Sequence, residues 1–332
     1  MDKAALTAWL RAATGWADLA IGGMALLSGG AIQQNWRLDA TAGGRVHAWV
    51  LRTDAPATLA ASRSRAEEFQ LLKAAFAAGV TVPEPLYLCA DRGVIGAPFF
   101  VMRRVEGITA GHRIVRSETL GGGRAALVAA LGRELARIHA IRPPREELRF
   151  LGNPPLNPAQ TYLLEMRNAL DSAPIPRPML EWGLRFLERN AAPPGEIVMC
   201  HNDFRTGNYM VAEAGITGIL DWEFAAWGDP HADIGWLLAR CWRFGGPGEV
   251  GGVGPRGPFL AAYEAESGRR TDPARIAWWQ IAATIRWAVI AIAQADRHVL
   301  GREPSLELAL TGHIVPELEL DVMRATMPGA VL

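Results

Sequence analysis

Cys200-His201-Asn202-Asp203-Phe204-Arg205-Thr206-Gly207-Asn208 is the densest run of chemistry-bearing residues in the chain, and its reading decides the fold. The apolar triplet Ile197-Val198-Met199 precedes it and Tyr209-Met210-Val211 follows. This is the pattern of a polar, glycine-containing loop between two short buried strands. Such a loop can present a carboxylate base, a cation two positions on and an amide oxygen five positions on, all at one point. Taken alone, the same residues also suit an ordinary turn closed by an Asx-type bond.

Working outward, Ile216-Thr217-Gly218-Ile219-Leu220 reads as another strand, and Asp221-Trp222-Glu223 ends it, thirteen residues past Asn208. A carboxylate at a strand end, near an earlier Asp and Asn, supplies the oxygen ligands that Mg²⁺ requires. Gly228-Asp229-Pro230-His231-Ala232-Asp233-Ile234-Gly235-Trp236 then opens a helix with two more carboxylates.

H-x-D-x-x-x-x-N followed by D-W-E and G-D-P-x-x-D-x-G-W resembles the aminoglycoside phosphotransferase and choline kinase-like family of the protein-kinase-like superfamily. The order matches the kinase arrangement of catalytic-loop Asp and Asn, then a metal-binding Asp on the next strand. The resemblance implies an α+β, two-lobed protein-kinase-like fold, with a small β-rich N-terminal lobe and a larger, mainly helical C-terminal lobe. It places the nucleotide-binding lobe at 1–105 and the catalytic, substrate-binding lobe at 106–332. It implies an ATP- and Mg²⁺-dependent enzyme acting on a small-molecule hydroxyl. Asp203 matches the catalytic carboxylate and Arg205 a cation near the transferred phosphate. Asn208 and Asp221 match the magnesium ligands, with Glu223 beside them. Asp233 and His201 resemble residues that brace the loop, and Asn202 stands where glycine is common.

The first lobe carries further matches. Ser28-Gly29-Gly30-Ala31 resembles the phosphate-covering turn, which makes Gly29 and Gly30 nucleotide-binding candidates. Arg52 closes Trp49-Val50-Leu51-Arg52 where most kinases have a lysine; only Lys3 and Lys73 are lysines in this chain. Arginine keeps the charge but presents it as a planar fork. Glu68 matches the helix carboxylate that pairs with that cation, and Glu67 is its neighbouring rival. Phe99-Phe100-Val101-Met102-Arg103-Arg104-Val105 resembles the strand and hinge that receive adenine, which brings in Met102, Arg103 and Arg104. The segments V-L-R, G-A-P-F-F-V-M and L-D-W-E-F-A look closest to the branch containing kinase domains associated with acyl-CoA dehydrogenases. That branch implies a hydroxyacyl-type acceptor. An aminoglycoside kinase, or a nucleotide-binding module without transfer, are the alternatives.

The rest of the 332 residues supports a globular, mainly helical protein. Thirty-four basic and 34 acidic residues leave no net charge, which removes the usual basis for nucleic-acid or membrane-surface binding. Cys89, Cys200 and Cys241 form no C-x-x-C pattern and no disulfide framework. No apolar run such as Trp287 to Ala293 approaches the roughly 20 residues of a membrane span, and a cytoplasmic location is the expectation. The first hundred residues read as strands with one helix carrying Phe69, Leu72 and Phe76. Later helices are expected over 125–141, 158–171, 178–190, 233–242, 258–267, 273–298 and 305–327. Trp278, Trp279 and Trp287 fall at helical spacing, as core residues would. Gly246-Pro247-Gly248-Glu249-Val250-Gly251 satisfies G-x-G-x-x-G, but no strand precedes it and no helix follows at once. It reads instead as a mobile loop near the substrate side.

Overall fold

The computed structural model describes residues 2–27, 33–54, 63–191 and 193–327. It opens on a helix, α1 (Lys3–Thr14), where strands were expected. Asp2 caps it by accepting the N–H groups of Ala4 and Ala5, and Gly15 closes it at φ 74°. β1 (Ala20–Leu26), β2 (Gln33–Ala42) and β3 (Arg45–Asp54) follow, then α2 (Arg65–Ala77), β4 (Pro85–Cys89) and β5 (Phe99–Arg103). The strands form one antiparallel sheet in the order β1-β2-β3-β5-β4. Alternation along the strands gives the sheet two apolar faces. Trp49, Leu51, Phe99 and Val101 pack with Leu6 and Leu10 of α1. Val50, Phe100 and Met102 face the core that holds Phe69 and Leu72 of α2.

The larger lobe is helical: α3 (Gly111–Arg116), α4 (Arg124–Ile138), α5 (Pro158–Asp171) and α6 (Pro178–Arg189) precede four short strands. These are β6 (Val198–Cys200), β7 (Tyr209–Val211), β8 (Ile216–Ile219) and β9 (Ala226–Gly228), paired β6 with β9 and β7 with β8. Then come α7 (Pro230–Leu238), α8 (Arg256–Ser267), α9 (Pro273–Val299), α10 (Leu306–Gly312) and α11 (Val315–Thr326). The two-lobed α+β arrangement is thus the one expected. The single helix expected over 305–327 is two, because Pro316 suits a helix's first turn and not its interior.

α9 is long and apolar enough to cross a membrane by length and composition, but 61% of its apolar window is buried within the protein. Trp278 and Trp279 sit in the core between α5, α6 and α9, so the helix serves as the spine of this lobe. The lobes are stapled at Thr81. Its N–H and hydroxyl donate to the two oxygens of Glu134 on α4 at 2.7 and 2.8 Å. Its carbonyl accepts the N–H of Ile219 on β8 at 2.7 Å.

Candidate active site

The loop between β6 and β7 is held by Asp233, buried on α7. One Asp233 oxygen accepts the backbone N–H of His201 at 2.6 Å, and the other accepts that of Asn202 at 2.7 Å. His139 Nε2 reaches the same carboxylate at 3.2 Å, while its Nδ1 meets the Tyr263 hydroxyl at 2.8 Å. Burial alone would raise the Asp233 carboxyl; the bond from His139 and the His201 N–H outweigh it and hold it below the ordinary value. Burial pushes His139 down, favouring the neutral ring. His201 supports the loop as expected: its Nδ1 accepts the Asp203 N–H at 3.3 Å, so Nε2 donates to the Leu220 carbonyl at 2.9 Å. Asn202 adopts φ 61°, a left-handed conformation that favours glycine and that asparagine tolerates.

Asp203 and Asn208 are brought together. Asn208 Nδ2 donates to the Asp203 side-chain Oδ2 and, at 3.0 Å, to the Asp203 carbonyl. This fixes the amide so that Oδ1, the metal-binding atom of an asparagine, has no protein donor among the described residues. The Asn208 carbonyl accepts the Leu220 N–H at 2.8 Å, which ties the loop to the strand end carrying Asp221. Asp221 itself sits at φ 59° with its side chain 43% exposed. Asp203 Oδ1 accepts from Arg205 Nε at 3.0 Å and from the Trp236 indole at 2.9 Å. Arg205 lies over the Trp242 ring, 4.6 Å from its centroid. It is therefore a partner of the loop carboxylate.

Across the cleft, Arg52 Nε lies 2.8 Å from Glu68 Oε1, and Arg52 Nη2 lies 3.5 Å from Asp221 Oδ1. Burial opposes the Arg52 charge, but Glu68 and Asp221 outweigh it. Glu67 is occupied in a capping box with Ser64, which settles the choice between the two glutamates in favour of Glu68. Glu223 sits beside this pair, and burial, reinforced by Asp221, pushes its carboxyl up. A cleft of about 580 Å³ collects Arg52, Glu68, Met102, Arg103, Arg104, Asp221 and Glu223 in its walls.

The hinge differs in detail from expectation. Arg103 N–H bonds to the Glu84 carbonyl and Arg104 N–H to the Ala48 carbonyl, both at 2.9 Å. Their side chains are engaged too, Arg103 with Glu84 and Arg104 with Asp39. Val105, next along and also lining the cleft, is the first residue here whose N–H has no partner among the described residues. Gly29 and Gly30 lie outside the described residues. The 246–254 segment is not a loose loop: Val250 is buried, and the Gly251 carbonyl accepts the Thr206 hydroxyl at 2.8 Å. A Cβ on Gly251 would fall 2.1 Å from the Thr206 hydroxyl oxygen, so glycine is required for the segment to press on the loop between β6 and β7.

A model of the phosphotransferase enzyme family matches residues 23–279. Acyl-CoA dehydrogenase family member 10 of Mus musculus is 32% identical over 196 residues, 56% of this chain and 18% of that protein. Acyl-CoA dehydrogenase family member 11 of Homo sapiens is 29% identical over 197 residues, 56% of this chain and 24% of that protein. The chain thus spans only part of the length of these relatives. Among solved structures, an aminoglycoside phosphotransferase-like protein from Ralstonia eutropha superposes with a TM-score of 0.75 at 20% identity, over 98% of each chain. Spectinomycin phosphotransferase, crystallised with ADP and spectinomycin, gives 0.61 at 14%, over 97% of this chain and 99% of its own. These likenesses show the kinase-like fold.

Proposed function

This chain belongs to the phosphotransferase enzyme family, and from that premise we propose that it transfers the terminal phosphoryl group of ATP to a hydroxyl of a small hydroxyacyl-type metabolite. The observation that carries the reading is the continuous chain of contacts from Asp203 through Asn208 to Asp221 and Arg52, beside a cleft of nucleotide size.

In this reading Asp203 orients the acceptor hydroxyl and takes its proton as the hydroxyl oxygen bonds to phosphorus and the bond to the departing diphosphate breaks. Trp236 and Asn208 hold the carboxylate for that task, and Arg205 keeps a positive charge beside it. Asn208 Oδ1 and the Asp221 carboxylate are hard oxygen donors that fit Mg²⁺. Mg²⁺ bound there would neutralise charge on the phosphate oxygens. Arg52, braced by Glu68, supplies a fixed cation to the nucleotide phosphates, and Val105 N–H offers the free hinge donor for adenine. Most of the rate enhancement then comes from positioning and charge neutralisation.

The hydroxyacyl acceptor rests on the likeness to proteins named for acyl-CoA dehydrogenation. The charge balance agrees: from Cys241 onward there are ten acidic and nine basic residues, with no acidic excess to attract a polycation. The test is incubation with ATP and Mg²⁺ and each of a set of hydroxyacyl-CoAs, hydroxy acids, aminoglycosides and choline, scored by mass of phosphorylated product. Product from the hydroxyacyl compounds is expected. Turnover confined to aminoglycosides or choline would overturn the acceptor while keeping the phosphotransferase.

A further inference from the structure

A second cavity, of about 210 Å³, is lined by residues of α5, α7 and α9 and is separate from the cleft that holds Arg52 and Asp221. The two cavities share no lining residue. This one reaches the reacting centre through Asn202, which precedes Asp203, and Trp236, whose indole N–H is bonded to Asp203 Oδ1. Its walls include Tyr162, Trp236, Trp279 and small alanines. The polar ends of those aromatics are already engaged: the Tyr162 hydroxyl donates to the Ala282 carbonyl at 2.7 Å, and the Trp279 indole to Asp229 at 3.0 Å. To an occupant they offer apolar faces.

Three charged groups line the cavity. Asp229 is matched by Arg275 at 2.6 Å and His231 at 2.9 Å. Glu165 is exposed on α5. Arg286, half-buried on α9, is different: among the described residues no carboxylate lies within ion-pair distance of it. One of its five N–H groups donates to the Asn202 carbonyl at 3.1 Å, and its guanidinium rests on the Trp236 ring, 4.8 Å from the centroid. Stacking and one backbone bond fix the plane of the fork while leaving its charge uncompensated, an arrangement suited to a carboxylate.

We propose that this cavity is the acceptor subsite and that Arg286 selects an acceptor bearing a carboxylate, with an apolar body against the aromatic walls and its hydroxyl delivered to Asp203. The proposal deepens the phosphotransfer reading and rests on it for the direction of the hydroxyl. It disfavours polycationic acceptors, which would place a like charge on Arg286.

The test compares 3-hydroxyhexanoate with its neutral amide, read by quenching of the cavity tryptophans in the absence of nucleotide. In the wild-type chain the acid is expected to bind at least tenfold more tightly than the amide. Arg286→Gln should erase that preference, and Arg286→Lys should keep part of it, since lysine retains the charge without the bidentate fork. Equal binding of acid and amide by the wild type, or an undiminished preference in a folded Arg286→Gln, overturns the proposal, and the wild-type comparison needs no variant to fold. Product assays separate it from the phosphotransfer reading. Arg286-dependent binding without phosphorylated product supports the subsite's charge selectivity and defeats the hydroxy acid as phosphoryl acceptor. Equal phosphorylation of acid and amide does the reverse.

Discussion

Arg52 and Glu68 form an ion pair of 2.8 Å with both side chains buried, and the same arginine reaches Asp221 on the opposite lobe. Removing one partner of a buried pair usually costs about 3–5 kcal/mol because the other charge is left unmatched. Here Arg65 also pairs with Glu68, so Arg52→Ala should destabilise the fold by less than that. Its main effect should be on nucleotide: at least a tenfold loss of Mg-ATP affinity by calorimetry. Lys73→Ala, exposed on the outer side of α2, should change affinity less than twofold. Comparable losses in both variants would mean that Arg52 does not serve as the phosphate cation.

Asp221 should carry the metal dependence. ATP affinity in the wild type is expected to rise when Mg²⁺ is added, and Asp221→Ala should lose that rise while retaining metal-free binding. An equal Mg²⁺ effect in both proteins would remove Asp221 from the ligand set.

Asn202 can be tested through its backbone. A left-handed φ costs a residue with a Cβ about 1–2 kcal/mol relative to glycine, and asparagine offsets part of it by local bonding. Its Nδ2 donates to the Phe224 carbonyl at 3.1 Å. Asn202→Gly should therefore leave the unfolding free energy nearly unchanged, whereas Asn202→Ala should lower it by about 1–2 kcal/mol in urea titrations. Equal losses would show that the side-chain bond, and not the backbone conformation, is what matters.

Asp229, which caps α7, gives a pH signature of stability. Burial would raise its carboxyl, but His231 and Arg275 hold it down at about 2, below the ordinary 3.8. A depressed folded value means stability that is fully present above about pH 4 and lost as pH falls toward 2. The shift corresponds to about 2–3 kcal/mol at neutral pH. Asp229→Asn should be less stable than wild type at pH 7 by that order, and the gap should narrow steadily below pH 4. A gap that stays constant between pH 6 and pH 3 would rule out this ionisation as its source.

What could be read from the sequence was what depends on local spacing. Asp203 and Asn208 are five residues apart in one tight loop, so their meeting follows from the turn itself. Glu68 needed only the resemblance to be matched to Arg52. Trp236 was quoted within its motif, yet its bond to Asp203 crosses 33 residues and no periodicity encodes it. Arg286 lies 84 residues from the carbonyl it holds, a separation that no local pattern bridges. Val105 was hidden for another reason: which hinge N–H stays free depends on the register of β5 with both β3 and β4. The first helix was legible in principle, through the Asp2 cap and the Leu6, Leu10 spacing, but strands beyond it dominated the reading.

Thr81 is gripped on three of its groups by α4 and β8, whereas among the described residues Arg63 crosses to Ala225 through a single hydrogen bond. Opening of the cleft is therefore expected to pivot near Thr81, with displacement growing away from it. The Arg63–Ala225 crossing is the contact expected to yield first. Under the proposed function, the cleft wall that carries Pro83 and Val105 is expected to keep its shape on opening, since Pro83 lies two residues from Thr81.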